Sequence, residues 1–197
     1  QHIGSVAVAL PVLEQRADFT QEIRIAVNHM LDEINQLLGF SHERQALQRS
    51  DNRLDELVDR SIKTVKALPE YEGVSIVSVV TADCRAWLDP GKVERVLLNL
   101  LFNAAEVVSP GTGAIEVLTE HNMFTPLNLR VRDNGPGIAA EIADRLFEPF
   151  VSHGKQKGTG LGLTVVHNVM QQHGGSAVVE RTGPDGTTFR LHFPRHA

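Results

Sequence analysis

Apolar residues recur with helical spacing at the front of the chain and in its middle, and alternate in strand fashion toward its end. Ile3, Val6, Leu10 and Leu13 form one stripe, with Pro11 inside it where a helix kinks or stops. Asp18 and Thr20 are candidate caps for a longer helix. Its seam runs Ile23, Ala26, Val27, Met30, Leu31, Ile34, Leu37, Leu38. So narrow a seam leaves an isolated hairpin with apolar surface in water. A second copy of the chain covers it most economically, as a dimeric four-helix bundle; the alternative is that the hairpin packs on its own downstream domain.

The polar stretch Ser41 to Ser50 reads as the end of the long helix and a short linker. Leu54, Leu57, Val58, Ile62 and Val65 mark a further amphipathic helix, closed by Pro69 and Gly73. Val74 to Val80 and Ala86 to Leu88 read as strands. Asp89-Pro90-Gly91 then turns the chain into a helix with Asp89 at its N-terminus and a core stripe of Val93, Val96, Leu97, Leu100, Leu101, Ala104 and Val108. Ile115 to Leu118 and Leu127 to Val131 are strands, and Ala177 to Val179 with Phe189, Leu191 and Phe193 make a final hairpin around Gly183-Pro184-Asp185-Gly186. The pattern predicts an α+β fold: an all-α hairpin domain over residues 1–50, then a domain over 51–197 with a mixed sheet covered by helices on one face.

Three stretches carry candidate chemistry. Asn99 and Asn103, at i and i+4, share a face that is not the core stripe, with Glu106 one turn on. Asparagine is a mediocre helix former, and its amide oxygen is a hard ligand suited to Mg²⁺. Two solvated or capped amides are the bland alternative. Asp133-Asn134-Gly135-Pro136-Gly137 follows a buried strand, where a carboxylate can accept from an amino group such as the exocyclic amine of adenine. Its glycines clear side chains from the path of a flat ligand. Gly158-Thr159-Gly160-Leu161-Gly162 opens an apolar helix, and the free N–H groups at such a start form an anion site suited to phosphates. A single glycine loop also makes plain turns; two of them beside an Asn-bearing helix are a much more specific combination.

Composition narrows the classes. With 197 residues, 42% hydrophobic and 22% charged, the chain has room for one large or two small globular domains. A net charge of -5 argues against general binding to nucleic acid or to an anionic membrane. The single cysteine, Cys84, cannot form an internal disulfide, which fits a reducing, cytoplasmic setting. No apolar run reaches membrane-spanning length and no signal peptide is evident, so no membrane contact is expected of this stretch. Position 1 is Gln, so we expect a piece of a longer protein, which could itself be membrane-anchored.

Together these stretches resemble the catalytic region of sensor histidine kinases, of the GHKL (Bergerat-fold) superfamily. Asn99-Leu100-Leu101-Phe102-Asn103-Ala104-Ala105-Glu106 resembles the N box and Asp133-Asn134-Gly135-Pro136-Gly137 the G1 box. Leu146-Phe147-Glu148-Pro149-Phe150 resembles the F box and Gly158-Thr159-Gly160-Leu161-Gly162-Leu163 the G2 box. Gly186-Thr187-Thr188-Phe189 is similar to the closing Gly-Thr element, and His173-Gly174-Gly175 to the turn after the G2 helix. The likeness covers about residues 50–197; the hairpin end Leu37-Leu38-Gly39-Phe40-Ser41 matches less specifically.

The resemblance implies a Bergerat-type α/β sandwich that binds ATP with Mg²⁺, autophosphorylates a histidine and passes the phosphoryl group to an aspartate of a response regulator. It implies that Asp133 takes the adenine amine, with Thr187 supporting it through a water. Asn103 would ligate Mg²⁺ with Asn99 nearby, and Gly135 and Gly137 would admit the nucleotide. Gly158, Gly160, Leu161 and Gly162 would serve the phosphates and hinge a lid, residues 147–157, from which Lys155 or Lys157 could reach the γ-phosphate. His153, His167 and His173 are expected to be exposed or structural. His2 is the candidate phosphoacceptor, although Ile3 stands where the family has an acidic residue; the alternative is an acceptor upstream of Gln1. His42 lies at the wrong end of the hairpin and His29 within its seam. Competing readings are a hydrolytic GHKL ATPase, a serine kinase of the same superfamily and a non-catalytic, ATP-binding dimeric scaffold. Asn99 stands where the hydrolases carry a glutamate base.

Overall fold

The computed structural model describes residues 46–80, 84–120, 127–152 and 159–194. The predicted hairpin with its dimer seam, and His2, His29, His42, His153, Lys155, Lys157 and Gly158, lie outside the described residues.

The chain enters through a short strand β1 (Ser50–Arg53) and the helix α1 (Leu54–Lys66), followed by a 3-10 turn at Pro69–Tyr71. Strands β2 (Ser75–Val79) and β3 (Arg85–Leu88) lead into the long helix α2 (Pro90–Val107). Then come β4 (Ala114–Glu120), β5 (Leu127–Asp133), a short helix α3 (Ala140–Ala143), α4 (Gly162–Gln172), β6 (Ser176–Gly183) and β7 (Gly186–Phe193). Five strands form one mixed sheet in the order β2-β4-β5-β7-β6. Only β2 and β4 run parallel, with Ile76 beside Ile115; the other neighbours are antiparallel.

Alternation along the strands decides which face is covered. On β5, Leu127, Leu129, Val131 and Asp133 are buried while Asn128, Arg130 and Arg132 point the other way. The same alternation places Ile115 and Val117 of β4 and Phe189, Leu191 and Phe193 of β7 in the core with the apolar stripes of α1, α2 and α4. Each such side chain, fully buried, contributes about 1.5–3 kcal/mol of transfer free energy. The opposite face carries charge: Glu180 bridges Arg130 and Arg190, and Glu116 faces Arg132. The sheet is therefore mixed and covered by helices on one face, as its pattern predicts. No helix among the described residues is long and apolar enough to cross a membrane.

One element departs from expectation. The end of the polar stretch around Ser50, read as linker, runs into β1, which pairs antiparallel with β3, Asp51 opposite Trp87. Its residues have little strand propensity. Pairing with β3, with an Asp51–Arg85 ion pair at 2.6 Å, makes the strand where local sequence does not.

Candidate nucleotide site

Two groups of residues flank the second half of α2, one at the end of β5 beside Val107 and one at the start of α4 beside Asn99, and they bound the candidate cleft. The first centres on Asp133, the last residue of β5. Its place on the inward face buries the carboxylate, which is 5% exposed. Oδ1 accepts from the backbone N–H of Gly135 at 2.8 Å and of Thr187 at 3.2 Å. No donor among the described residues reaches Oδ2. Burial pushes the Asp133 pKa up from its ordinary value, and the two amides oppose that shift.

Backbone closeness makes the glycines around Asp133 necessary. Gly137 has φ +86, and a Cβ there would run into the Gly183 carbonyl. A Cβ on Gly186, at φ +121, would meet the carbonyl oxygen of Asp133 itself. Gly135 leaves room for Val107, since a Cβ would lie 2.9 Å from its Cγ2. Thr187 touches Asp133 through its amide, and its hydroxyl lies 3.2 Å from Thr182 Oγ1. Asn134 brackets the loop from the other side. Its amide donates to the Thr112 carbonyl at 2.9 Å and accepts from Ala114 N–H at 2.8 Å.

The second group lies where α4 begins beside α2. Asn99 and Asn103 are half-buried, and Gly162 sits against them: a Cβ there would lie 3.1 Å from Asn99 Oδ1 and 3.9 Å from Asn103 Nδ2. Asn99 Nδ2 and Thr164 Oγ1 are buried with no hydrogen-bond partner among the described residues. The start of α4 has no side-chain cap and no acidic residue in its first turn, and the buried Leu161 precedes it. Its first amides have no side-chain partner among the described residues and suit an anion. Gly160, at φ +69, accepts from Phe150 N–H at 3.1 Å, and a Cβ on it would lie 2.7 Å from Phe150 Cα. Phe150 itself has φ 65, rare for an aromatic residue, and is 67% exposed.

Polar atoms left without partners, an uncapped helix start and a carboxylate with one open oxygen are jointly suited to a ligand with an amine at one end and anionic oxygens at the other. A sequence profile of the histidine kinase-, DNA gyrase B- and HSP90-like ATPases matches residues 88–197. The chain belongs to this ATPase family. It is 32% identical over 171 residues to the sensor histidine kinase ZraS of Escherichia coli, covering 85% of this chain and 35% of that protein. It is 31% identical over 192 residues to the histidine kinase/phosphatase NtrB of Klebsiella oxytoca, covering 90% of this chain and 52% of that one. Among solved structures, the mycobacterial sensor histidine kinase MprB superposes with a TM-score of 0.64 at 28% identity, covering 74% of this chain and all of that one. The chain thus spans about a third to a half of the length of these curated relatives.

Within this ATPase domain, Asp133, Gly135 and Thr187 come together, as do Asn99, Asn103 and Gly162. Val107 lies against the Asp133 group, and sequence reasoning missed it. It is 39% exposed beside Gly135, one turn beyond Asn103. The His167 ring lies tilted beside the Phe147 ring at 5.6 Å, with its Nδ1 buried and without a hydrogen-bond partner among the described residues, and His173 is buried with both ring nitrogens hydrogen-bonded. The donor set also suits Mg²⁺. Asparagine oxygens at the cleft are hard ligands, and among the described residues no cluster of three His, Cys, Asp or Glu side chains offers a competing metal site.

Proposed function

We propose that this chain binds ATP with Mg²⁺ and serves as the catalytic region of a protein histidine kinase, moving the γ-phosphoryl group to a histidine and from there to a response-regulator aspartate. The observation that carries this is Asp133: Oδ1 accepts from two backbone amides while no donor among the described residues reaches Oδ2. The adenine amine donates to Oδ2, and Gly135 and Gly137 let the ring approach the backbone. The α/β/γ-phosphates lie toward the uncapped start of α4 and Gly160. Asn103 would hold the ion with Asn99 beside it, and Mg²⁺ would supply positive charge against the phosphates. Asn99 is a poor general base, which favours transfer to a protein nucleophile over hydrolysis.

His2 is the acceptor we favour within this chain, with a histidine upstream of Gln1 as the alternative. The hairpin of residues 1–50 acts as a homodimer interface, in a cytoplasmic setting. The test is incubation with γ-labelled ATP and Mg²⁺, comparing this chain with His2→Gln. Acid-labile, base-stable label that disappears in His2→Gln supports the kinase with its acceptor at His2. Release of phosphate without labelled protein would sink it in favour of a hydrolase. Nucleotide binding with neither product would point to an acceptor outside this chain or to a scaffold, and a longer chain in the same assay separates those two.

A further inference from the structure

The far ends of α2 and α4, away from the cleft, are tied together and to the segment by which the chain enters the domain. Asp89 caps α2: its Oδ1 accepts from Lys92 N–H at 3.1 Å. Its Oδ2 accepts from Gln48 N–H at 2.9 Å, so one carboxylate holds both the helix start and the incoming chain. The Asp89 N–H donates to His173 Nε2 at 3.1 Å, and His173 Nδ1 bonds the Val169 carbonyl at 2.8 Å. A carbonyl only accepts and an amide only donates, so the ring is neutral with its proton on Nδ1. Two further bonds close the junction, Arg49 to the Gln172 carbonyl at 3.1 Å and Lys92 Nζ to Gln172 Oε1 at 3.0 Å.

The two helices are antiparallel neighbours. Asp89 and Lys92 lie against His173 and Gln172 at one end, and Asn99 lies against Gly162 at the other. Val96, Leu97, Val166 and Val169 are buried in their shared core. From Asp89 to Asn99 is about 15 Å along α2 at 1.5 Å per residue. A tilt about that packed core moves Asn99 against Gly162, where a single Cβ would already be tight.

We propose that Asp89 and His173 are positioning residues for the nucleotide site: they set how α2 and α4 lie at the cleft, and make nucleotide affinity answer to whether Gln48 and Arg49 are docked. This rests on the nucleotide reading above. Protonating His173 puts a second donor against the Asp89 N–H and opens the clasp. The charged groups facing the ring are Arg49, Asp89 and Lys92. Burial holds its pKa below the ordinary value. The Val169 carbonyl and Asp89 oppose that shift, and Arg49 and Lys92 reinforce it.

The test titrates the 197-residue chain with a fluorescent ATP analogue and Mg²⁺, beside thermal melts, between about pH 5 and pH 8, the span over which histidine changes charge. Gln48→Pro deletes one N–H, His173→Leu deletes the acceptor, and His173→Gln keeps an acceptor near the Nε2 position without a titrating ring. At neutral pH, Gln48→Pro and His173→Leu each weaken binding about three- to ten-fold, the ratio corresponding to one net hydrogen bond. Combined, they lose less than the product, and His173→Gln binds nearly as the wild type does. On acidification below about 6.5, the ordinary histidine value, the wild type loses affinity faster than His173→Gln. The decline common to both comes from groups outside the ring, Asp133 and the terminal phosphate of the nucleotide among them. Wild-type affinity in all variants with lowered melting alone would overturn the proposal, leaving the clasp a purely structural joint. If His173→Leu does not fold, Gln48→Pro and the pH difference between wild type and His173→Gln decide. Failure of the wild type to bind the analogue overturns the nucleotide reading instead.

Discussion

The two ends of the cleft are finished to different degrees. At the Asp133 end, the carboxylate is buried, two amides fix one oxygen, and Gly137 and Gly186 let backbone pack on backbone with no spare volume. At the Asn99 end, buried polar atoms lack partners among the described residues, α4 starts without a side-chain cap, and Phe150 and Gly160 hold left-handed backbone side by side. An unpartnered buried polar group costs about 1–3 kcal/mol, so that end gains most from a ligand that supplies partners. One end recognises by a preset shape; the other is completed by what binds.

Substitutions can break that contrast, and the largest effect belongs to the preset end. Gly186→Val forces a Cβ into the Asp133 carbonyl at φ +121; it should lower stability by roughly 3 kcal/mol or more, as strain and clash add. Chemical denaturation measures this, and a near-native midpoint would mean that the turn yields easily.

Asp133→Asn is the sharper probe. An Asn oxygen can still accept from Gly135 and Thr187, but its amide then faces the adenine amine donor to donor. Binding of adenine nucleotides should fall on the order of a hundred-fold, the equivalent of about 3 kcal/mol for a lost charged hydrogen bond, with a much smaller change in melting. Equal losses of binding and stability would show that Asp133 acts mainly on the fold.

Protonation of Asp133 gives a third test, with opposite signs for binding and stability. Its folded pKa is raised, so the folded state holds the proton more tightly than the unfolded chain does. That contribution to stability is present at low pH and is lost as pH rises from the ordinary carboxylate value through the raised one. ATP needs the ionised form, so its affinity should begin to fall on acidification above the ordinary carboxylate range. Calorimetric titration at stepped pH checks both the onset and the direction.

Gly162→Ala acts at the ligand-completed end. Its Cβ presses on Asn99 Oδ1 at 3.1 Å, so ATP affinity should drop several-fold, about 1 kcal/mol, while adenosine binds unchanged. Parallel titrations with ATP and adenosine separate the two. The smallest effect is a gain: Phe150→Gly removes a left-handed strain of about 1–2 kcal/mol. Little burial is lost at 67% exposure, and the greater freedom of glycine in the unfolded chain offsets part of the gain. Stability should rise by up to about 1 kcal/mol by the same balance.

Much of this was legible before the fold was known. The spacing of Val93, Val96, Leu97, Leu100 and Leu101 marks the buried side of α2, and thereby places Asn99 and Asn103 on another face. Asp89 reads as a cap and is one. Local periodicity suffices there because a helix brings i and i+4 together by its own geometry. Strand β1 was not legible, because its residues form a strand only by pairing with β3. Val107 escaped notice because an apolar residue on an apolar helix carries no mark of facing a cleft.

The amino-acid sequence by itself determined the long helices and the strands of the main sheet, that sheet's inner face and the residue types at both ends of the cleft, since each follows from spacing within a few residues. The tertiary structure alone decided that Thr187, 54 positions away, supplies an amide to Asp133, and that His173, 84 positions from Asp89, locks α2 to α4. Those bonds depend on backbone groups brought together by sheet order and helix packing, and a backbone amide looks the same at every position of the chain.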